Sequence, residues 1–276
     1  MLVHNSKSNP SPYRAYGRVD FLLTAVVILA VGNLLAAAAQ DRLTPVQREI
    51  ERQRQRLGSL EAEERRDALM RLGNLKRPEA SRVAAAALSD GTPVVRVTAA
   101  HAIFSLPSNE AVSLVAPLLK DKSEFVRREA AFVLGETHGQ SAVAPLSEVL
   151  IRDKKASVRG AAAVALGQIG AEAGVTALAQ VLTSAKKKRS SDDEFVLRSA
   201  ARSLGKIRSR AGVPALISTL ENSANAADTR REAATALGLI GDSSALPALQ
   251  AAFAADEDPY LAEAARAAIR NLKTKN

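Results

Sequence analysis

Apolar residues along the chain follow a helical spacing that recurs about every 31 or 32 residues. Residues 126–139, "VRREAAFVLGETHG", and residues 158–171, "VRGAAAVALGQIGA", share the outline V-R-x-x-A-A-x-x-L-G. Counted from the arginine, the apolar positions i+3, i+4 and i+7 form the stripe of an amphipathic helix. The outline therefore predicts a helix at each recurrence, marked by Arg65, Arg96, Arg127, Arg159, Arg198, Arg230 and, without the basic residue, Ala262.

A glycine follows the leucine that ends most of these stripes. Phe104 and Arg270 stand in its place in two units, and the glycines are Gly73, Gly135, Gly167, Gly205 and Gly238. The residue just past the last turn of a helix often adopts a left-handed conformation, which favours glycine. The pattern therefore predicts that these glycines end their helices.

A shorter apolar segment precedes each stripe, as in "SAVAPLSEVL" (141–150) and "AGVPALISTL" (211–220). Pro145, Pro214 and Pro247 fall in the opening turns of such segments, where a missing N–H costs little. Each unit is thus predicted to be a helix, a short turn and a second helix. A period of this length is typical of solenoids built from stacked repeats.

Together these marks resemble HEAT repeats, especially the short HEAT-like type of phycobilisome lyase subunits. Matching Asp, Arg, Ala-Ala and Leu-Gly positions recur in seven registers over about residues 60–276. The resemblance implies an all-α fold, a right-handed α-solenoid of about seven two-helix HEAT-like repeats. Such solenoids are chiefly protein-binding scaffolds with unrelated partners, so it implies a concave surface for an extended protein or peptide of unknown identity.

An aspartate stands six residues before the arginine position in several units. Similarity to HEAT repeats implies a ladder in which the aspartate caps the second helix and the arginine reaches the carboxylate of a neighbouring turn. The functional alternative is a row of acid–base pairs or an anion-binding strip, but recurrence at fixed spacing favours the structural role, because half-buried charges need partners. The predicted ladder comprises Asp90, Arg96, Asp121, Arg127, Asp153, Arg159, Asp192, Arg198 and Arg230, with Asp256 before Ala262.

One interval between units is longer than the others. The 39 residues from Arg159 to Arg198 include the segment "SAKKKRSSDDEF" at 184–195. Extra residues in a solenoid loop often mark a contact site on one edge, whereas a solvated charge run is the alternative. We predict a partner contact at the cationic loop tip formed by Lys186, Lys187, Lys188 and Arg189.

The first forty residues have a different character. Residues 21–39, "FLLTAVVILAVGNLLAAAA", follow a basic stretch and end in small residues before Gln40, which predicts a signal peptide over 1–39. Nineteen apolar residues also approach the ~20 needed to span a bilayer, so an uncleaved inner-membrane anchor is the alternative. Both interpretations place the remainder outside the cytoplasm, periplasmic or extracellular.

A charged helix is predicted to follow the leader. Thr44 and Pro45 provide an N-cap and a first helical residue. We expect residues 40–60 to form a capping helix and residues 61–276 to form the repeat solenoid.

Composition narrows the chemistry available to the chain. Cysteine is absent, which excludes disulfides, thiolate metal sites and a cysteine nucleophile. His4, His101 and His138 form no HExxH motif, and none is followed by glutamate as the HEAT-repeat deoxyhypusine hydroxylases would require. The glycine pairs follow predicted helices rather than strands, unlike phosphate loops. We therefore expect no catalytic residue, no metal, no cofactor and no enzymatic activity.

These observations predict a non-catalytic protein-interaction scaffold of the bacterial cell envelope. An accessory subunit or chaperone for cofactor attachment and a binder of nucleic-acid backbone are the alternatives. The net charge of +9 permits phosphate binding, but aromatic residues make up only 3% of the chain and export separates it from nucleic acid. Membrane contact is expected only if the leader is uncleaved.

Overall fold

A computed structural model describes residues 43–184, 191–255 and 258–274 of the 276-residue chain. The predicted leader at 1–39, the cationic loop tip at 186–189 and Asp256 lie outside these residues. The chain divides into two compact units, residues 1–52 and 53–276. The described residues of both units form fourteen α-helices and no strand, so the all-α prediction is confirmed.

The first helix, α1 (Pro45–Arg56), begins with a reciprocal cap. The backbone N–H of Gln47 donates to Thr44 Oγ1 at 3.2 Å, and the backbone N–H of Thr44 donates to Gln47 Oε1 at 2.9 Å. Each side chain thereby satisfies a backbone donor that the helix leaves without a partner. The expected role of this helix as a cap for the repeats stays a prediction.

The described part of residues 53–276 contains thirteen further helices of two alternating kinds. The first helices of the units, called A helices, are α3 (Pro78–Ala85), α5 (Ser108–Val115), α7 (Val143–Arg152), α9 (Val175–Thr183), α11 (Val213–Glu221) and α13 (Leu246–Ala255). The second helices, called B helices, are α2 (Ala62–Asn74), α4 (Pro93–Ala102), α6 (Glu124–Glu136), α8 (Ala156–Ile169), α10 (Ser191–Ile207), α12 (Ala227–Ile240) and α14 (Pro259–Thr274).

The core between the A and B layers is built mainly from leucine and alanine. The alanine pairs of the repeat outline are fully buried, as at Ala130 and Ala131. Every unit contributes, so burial is continuous along the stack rather than concentrated in one centre. The largest fully buried side chains are Leu69, Leu72, Ile103, Leu134, Leu146, Leu150, Leu166, Leu178, Leu204, Leu216, Leu220 and Leu237.

Consecutive B helices pack more closely together than consecutive A helices do. The glycine of the repeat outline explains why, because a Cβ atom on Gly205 would lie 2.9 Å from Ala236 Cα, and one on Gly238 would lie 2.7 Å from Ala268 Cα. Carbon atoms do not approach that closely without strain. The B helices thus form the more closely packed layer of the repeats.

The prediction that these glycines end their helices is therefore wrong. Gly135, Gly167, Gly205 and Gly238 lie inside α6, α8, α10 and α12. Each helix continues past the apolar stripe, so the glycine faces the next B helix and the chain reverses later. The left-handed residues come three positions further on, with φ between 50° and 81°, at Lys76, His138, Gly170, Arg208 and Gly241.

Substituting alanine for Gly238 should therefore destabilise the fold through steric overlap. We expect Gly238→Ala to lower the free energy of unfolding by about 1–3 kcal/mol in urea titrations, because the added methyl group meets the α14 backbone. Gly91→Ala is the control, since nothing lies within 4 Å of a Cβ built there. Equal losses of unfolding free energy in the two variants would show that contact with the next helix is not the reason for glycine at position 238.

Candidate functional site

Half-buried ion pairs connect successive repeats along the turns between A and B helices, referred to as A–B turns. In α4, Arg96 Nε and Nη2 donate to Asp121 Oδ2 and Oδ1, each at 2.8 Å, while Nη1 donates to the carbonyl oxygen of Asp90 at 2.7 Å. Asp121 Oδ1 also accepts from the backbone N–H of Ser123 at 2.8 Å. One guanidinium thus binds the A–B turn of its own repeat and that of the next.

The neighbouring repeats use the same arrangement. Arg65, which the predicted ladder did not include, donates to Asp90 at 2.7 and 2.9 Å. Arg127 donates to Asp153 at 2.7 and 3.1 Å. Because both carboxylate oxygens of each aspartate accept hydrogen bonds from an arginine, these pairs satisfy one another and organise the turns.

Burial and hydrogen bonding act in opposite directions on the ladder carboxylates. The Arg96 and Asp121 side chains are only 6% and 10% exposed. Burial raises the pKa of Asp121 and the hydrogen bond from Arg96 lowers it, with a net pKa below the ordinary value, and the same two causes lower the pKa of Asp153 with Arg127 as donor. At Asp90 the hydrogen bond from Arg65 is the main cause of a lowered pKa.

The fourth pair differs from the predicted one by a single residue. Arg159 Nη2 donates to Asp193 Oδ1 at 3.1 Å, whereas Asp192 is exposed on α10. Because α10 begins at Ser191, both aspartates lie in the first helical turn rather than in the turn before it. Asp193 therefore takes the ladder role that the spacing assigned to Asp192.

Arg198 lies outside the ladder register. Gly205 stands eight residues after the buried Leu197, as Gly135 does after Arg127, so Leu197 occupies the ladder position. Arg198 points to the surface and donates to Asp228 at 3.1 Å, with 41% and 53% of the two side chains exposed.

In the next A–B turn, Ala224 stands where earlier turns carry an aspartate, and the buried Asn225 follows it. Asn225 Nδ2 donates to the carbonyl oxygen of Thr219 at 2.8 Å. The arginine and aspartate positions have thus become uncharged together, which avoids leaving one buried charge without its partner. Arg230 of α12 binds the turn through Nε, which donates to the carbonyl oxygen of Leu220 at 2.9 Å.

The sides of the B helices that face away from the A helices form a surface called here the B face. Large apolar side chains are exposed on it near the N-terminal end of the repeats. Met70 is 44% exposed, Phe104 45% and Phe132 41%. Met70, His101 and Phe132 occupy equivalent positions on α2, α4 and α6, five residues after the ladder arginine. Such a cluster of exposed apolar side chains is typical of an interaction site.

A cavity called here the notch lies in this region because α4 is short. It ends six residues after its ladder arginine, whereas α2 and α6 continue for nine, and Phe104 stands where other repeats have the close-packing glycine. The resulting cavity is about 510 Å³ in volume, which suits one or two side chains of a partner. It is lined by Leu69, Met70, Gly73, Asn74, Lys76, Thr98, His101, Ala102, Phe104 and Ser105.

An imidazole joins the aromatic rings of this cluster. The His101 ring centroid lies 5.9 Å from those of Phe104 and Phe132. His101 Nε2 is 3.4 Å from Glu129 Oε2. The notch is therefore lined by both apolar and polar side chains.

Sequence reasoning missed the notch. The residues it selected as a partner contact, Lys186, Lys187, Lys188 and Arg189, lie outside the described residues. The signal that could have indicated the notch is the phenylalanine at position 104, in a column otherwise occupied mostly by glycine.

No group of three or more His, Asp or Glu side chains within residues 43–184, 191–255 and 258–274 is placed to hold a metal ion. None of the helices in these ranges combines the length and apolarity required to cross a membrane.

Comparisons with known proteins identify the repeat. The family model of HEAT repeats matches residues 50–132, 113–191 and 185–270. The crystal structure of the Escherichia coli protein YibA is 17% identical, with 98% of this chain and 99% of that chain covered and a TM-score of 0.56. This likeness supports the fold. No curated protein matches the sequence significantly.

Two further solved structures are less similar in geometry. The complex of CpcE and CpcF of phycocyanin lyase from a Nostoc species is 23% identical, with coverage of 84% of this chain and 95% of that chain and a TM-score of 0.47. Human deoxyhypusine hydroxylase in complex with glycerol is 21% identical, with coverage of 82% and 84% and a TM-score of 0.42.

Removing one ladder carboxylate should destabilise the stack strongly. We expect Asp121→Asn to lower the free energy of unfolding by about 3 kcal/mol at pH 7, because the buried Arg96 loses its counter-charge. Asp228→Asn, in the exposed pair with Arg198, should cost less than about 1 kcal/mol. Urea titrations of both variants make the comparison, and similar losses would contradict a special role for the buried ladder.

The ladder also predicts instability in acid. Because the folded pKa values of Asp90, Asp121 and Asp153 are lowered, the unfolded chain binds more protons at low pH. The stabilisation is complete above the ordinary aspartate pKa of about 4 and decreases as pH falls towards the lowered values. Unfolding measured between pH 5 and pH 2 should show a shallower decline for Asp121→Asn than for the wild type, and parallel curves would refute this linkage.

Proposed function

The chain belongs to the HEAT repeat family, and on this basis we propose that it is a non-catalytic scaffold of the bacterial cell envelope that binds an extended protein partner on the B face. The observation that carries the proposal is the notch, where Met70, Phe104 and Phe132 leave apolar surface exposed beside a cavity. HEAT repeats generally mediate protein–protein interaction, and the B face, which we expect to be concave, offers a continuous surface across the stack.

The notch provides the anchoring point. Aromatic and methionine side chains are enriched at the centres of protein interfaces, where a few residues supply most of the binding energy. An apolar side chain of the partner would enter between Met70 and Phe104 and lose its contact with water. The hydrogen-bonding groups of Asn74, Lys76 and Ser105 at the rim would then bind the adjoining backbone of the partner.

The remainder of the B face has a different chemical character. Towards the C-terminus it is lined by inter-helix ion pairs, including Arg202 with Glu232 and Arg198 with Asp228. An extended partner would therefore meet an apolar anchor site at one end and alternating charges at the other. This difference between the two ends would fix the direction in which the partner lies, since a reversed partner would place its apolar side chains against charged residues.

The envelope location rests on the apolar segment at 21–39, which resembles a secretory signal or anchor. An accessory role in cofactor attachment is the second candidate, and it predicts a chromophore in the purified complex. Visible absorption of the complex separates these two functions.

A photo-crosslinking amino acid at position 70 of the full-length chain tests the proposal in the native host. Mass spectrometry should identify one envelope protein, crosslinked through a segment that contains a large apolar residue. The chain itself should begin near Gln40 if the leader is cleaved. The same crosslinker at position 218, exposed on the A helix α11, is the control. Recovery of cytoplasmic proteins alone, or identical products from both positions, would contradict the proposal.

The notch also predicts a selective loss of affinity. Phe104→Ala should weaken binding of the recovered partner about 30-fold, roughly 2 kcal/mol, because it removes an aromatic wall of the cavity. Phe253→Ala is the matched control, because Phe253 is 49% exposed but belongs to α13, an A helix. Calorimetric titration measures the affinity of both variants for the partner. Equal affinities would contradict binding of the partner at the notch.

A further inference from the structure

The ladder arginines assemble the A–B turns into one edge of the repeat stack. Arg127 Nη1 donates to the carbonyl oxygens of Asp121 at 3.0 Å and Lys122 at 3.5 Å, and its Nε donates to Asp153 in the following turn at 2.7 Å. A single guanidinium therefore contacts both turns. This places residues 120–124 beside residues 151–155.

Five exposed cations lie on these two adjacent turns. They form a surface called here the basic edge, which consists of Lys120, Lys122, Arg152, Lys154 and Lys155. Within the described part of the chain, Lys120, Lys122 and Lys154 form no ion pair. Arg152 and Lys155 form long ion pairs at the surface. Arg152 Nη1 lies 3.9 Å from Glu148 Oε1, and Lys155 Nζ lies 3.4 Å from Glu124 Oε2.

The acidic residues of the same turns do not neutralise this surface. Asp121 and Asp153 are directed inward and bonded to the ladder arginines Arg96 and Arg127. Glu124 is the one remaining acidic residue of residues 120–124 and 151–155, and it accepts from Ser157 Oγ at 2.5 Å. The basic edge therefore carries a clear excess of positive charge.

The fold does not require these cations. The equivalent A–B turn at residues 89–92 reads "SDGT", and the turn at residues 222–226 reads "NSANA", with no basic residue in either. Both turns connect helices of the same kind in the same stack. The concentration of charge on two neighbouring turns thus points to a ligand rather than to architecture.

Bulky apolar side chains flank the basic edge. Phe125 follows the first of the two turns and Ile151 opens the second, and both are exposed. The Arg128 guanidinium lies 5.5 Å from the centroid of the Phe125 ring. We propose that the basic edge docks on an anionic phospholipid surface, with the cations at the phosphate groups and Phe125 and Ile151 entering the interfacial region.

Charge and apolarity together favour a lipid surface over another polyanion. Cations alone would fit any phosphate polymer. Exposed bulky side chains beside them make binding to a lipid surface more favourable, because they can enter the boundary between headgroups and acyl chains. The chain also carries the apolar segment at 21–39, which is predicted to deliver it to a membrane. This docking uses residues separate from the notch, so it can fail while partner binding stands.

The absence of cysteine allows a local test in the full-length chain. An environment-sensitive dye on Ile151→Cys would be followed in vesicles of neutral phosphatidylcholine and in vesicles containing one-third phosphatidylglycerol. A blue shift is expected only with the anionic lipid, and it should disappear at high salt because screening weakens the attraction. Comparing the two vesicle types separates docking of this edge from any insertion of residues 21–39.

Charge neutralisation then identifies the cations involved. In the labelled chain, Lys120→Gln, Lys122→Gln and Lys154→Gln combined should raise the lipid concentration at half-maximal shift on the order of 100-fold, at about fivefold for each cation. Arg77→Gln, Lys206→Gln and Lys273→Gln remove the same charge elsewhere and should have little effect. Thermal unfolding without vesicles should be unchanged in both triple variants, which verifies that they are folded.

Several outcomes would overturn the proposal. One is an equal shift in neutral and anionic vesicles, and another is an equal loss in the two triple variants. Abolition of the shift by 10 mM inorganic phosphate would assign the edge to a small anion. A matching shift with a short oligonucleotide would assign it to nucleic-acid phosphates.

Discussion

The close contact between consecutive B helices is the constraint on which the rest of the structure depends. Glycine on one helix meets alanine or serine on the next, as at Gly205 with Ala236 and Gly167 with Ser203, so the helix backbones approach without side chains between them. That short separation brings each A–B turn within reach of the arginine of the preceding repeat. The ladder therefore depends on this spacing.

The candidate functional features occur where this regularity is interrupted. Phe104 replaces the close-packing glycine, α4 ends early, and the notch results. The basic edge is likewise confined to particular turns, since the equivalent turns at residues 89–92 and 222–226 contain no basic residue. Residues that every repeat shares thus maintain the stack, and residues that one or two repeats possess give it particular surfaces. This division is expected when function is added to a repetitive fold.

Much of the fold could be predicted from the sequence because periodicity and burial act locally. The helix pairs and the buried alanine pairs follow from residue spacing, and the resemblance to HEAT repeats implied the pairing of Asp121 and Asp153 with ladder arginines. The role of Gly238 could not be predicted, because a glycine that ends a helix and a glycine that contacts another helix look alike in one sequence. The register at Arg198 was missed because an arginine adjoins the true ladder position at Leu197. The notch depends on how far α4 extends, which is decided by tertiary packing.

The replacement of the ladder pair by Leu197 and Ala224 has a mechanical consequence. Up to α10, the ladder ion pairs connect each repeat to the next across A–B turns. We therefore expect these repeats to stay together under tension. At the junction between α10 and α12, the inter-repeat ion pairs Arg198–Asp228 and Arg202–Glu232 lie at the surface, where water competes for them. In a nearest-neighbour chain, the weakest junction decides where extension begins. Under tension we therefore expect the stack to separate first between α10 and α12, so that the repeats on either side of this junction move apart before they unfold.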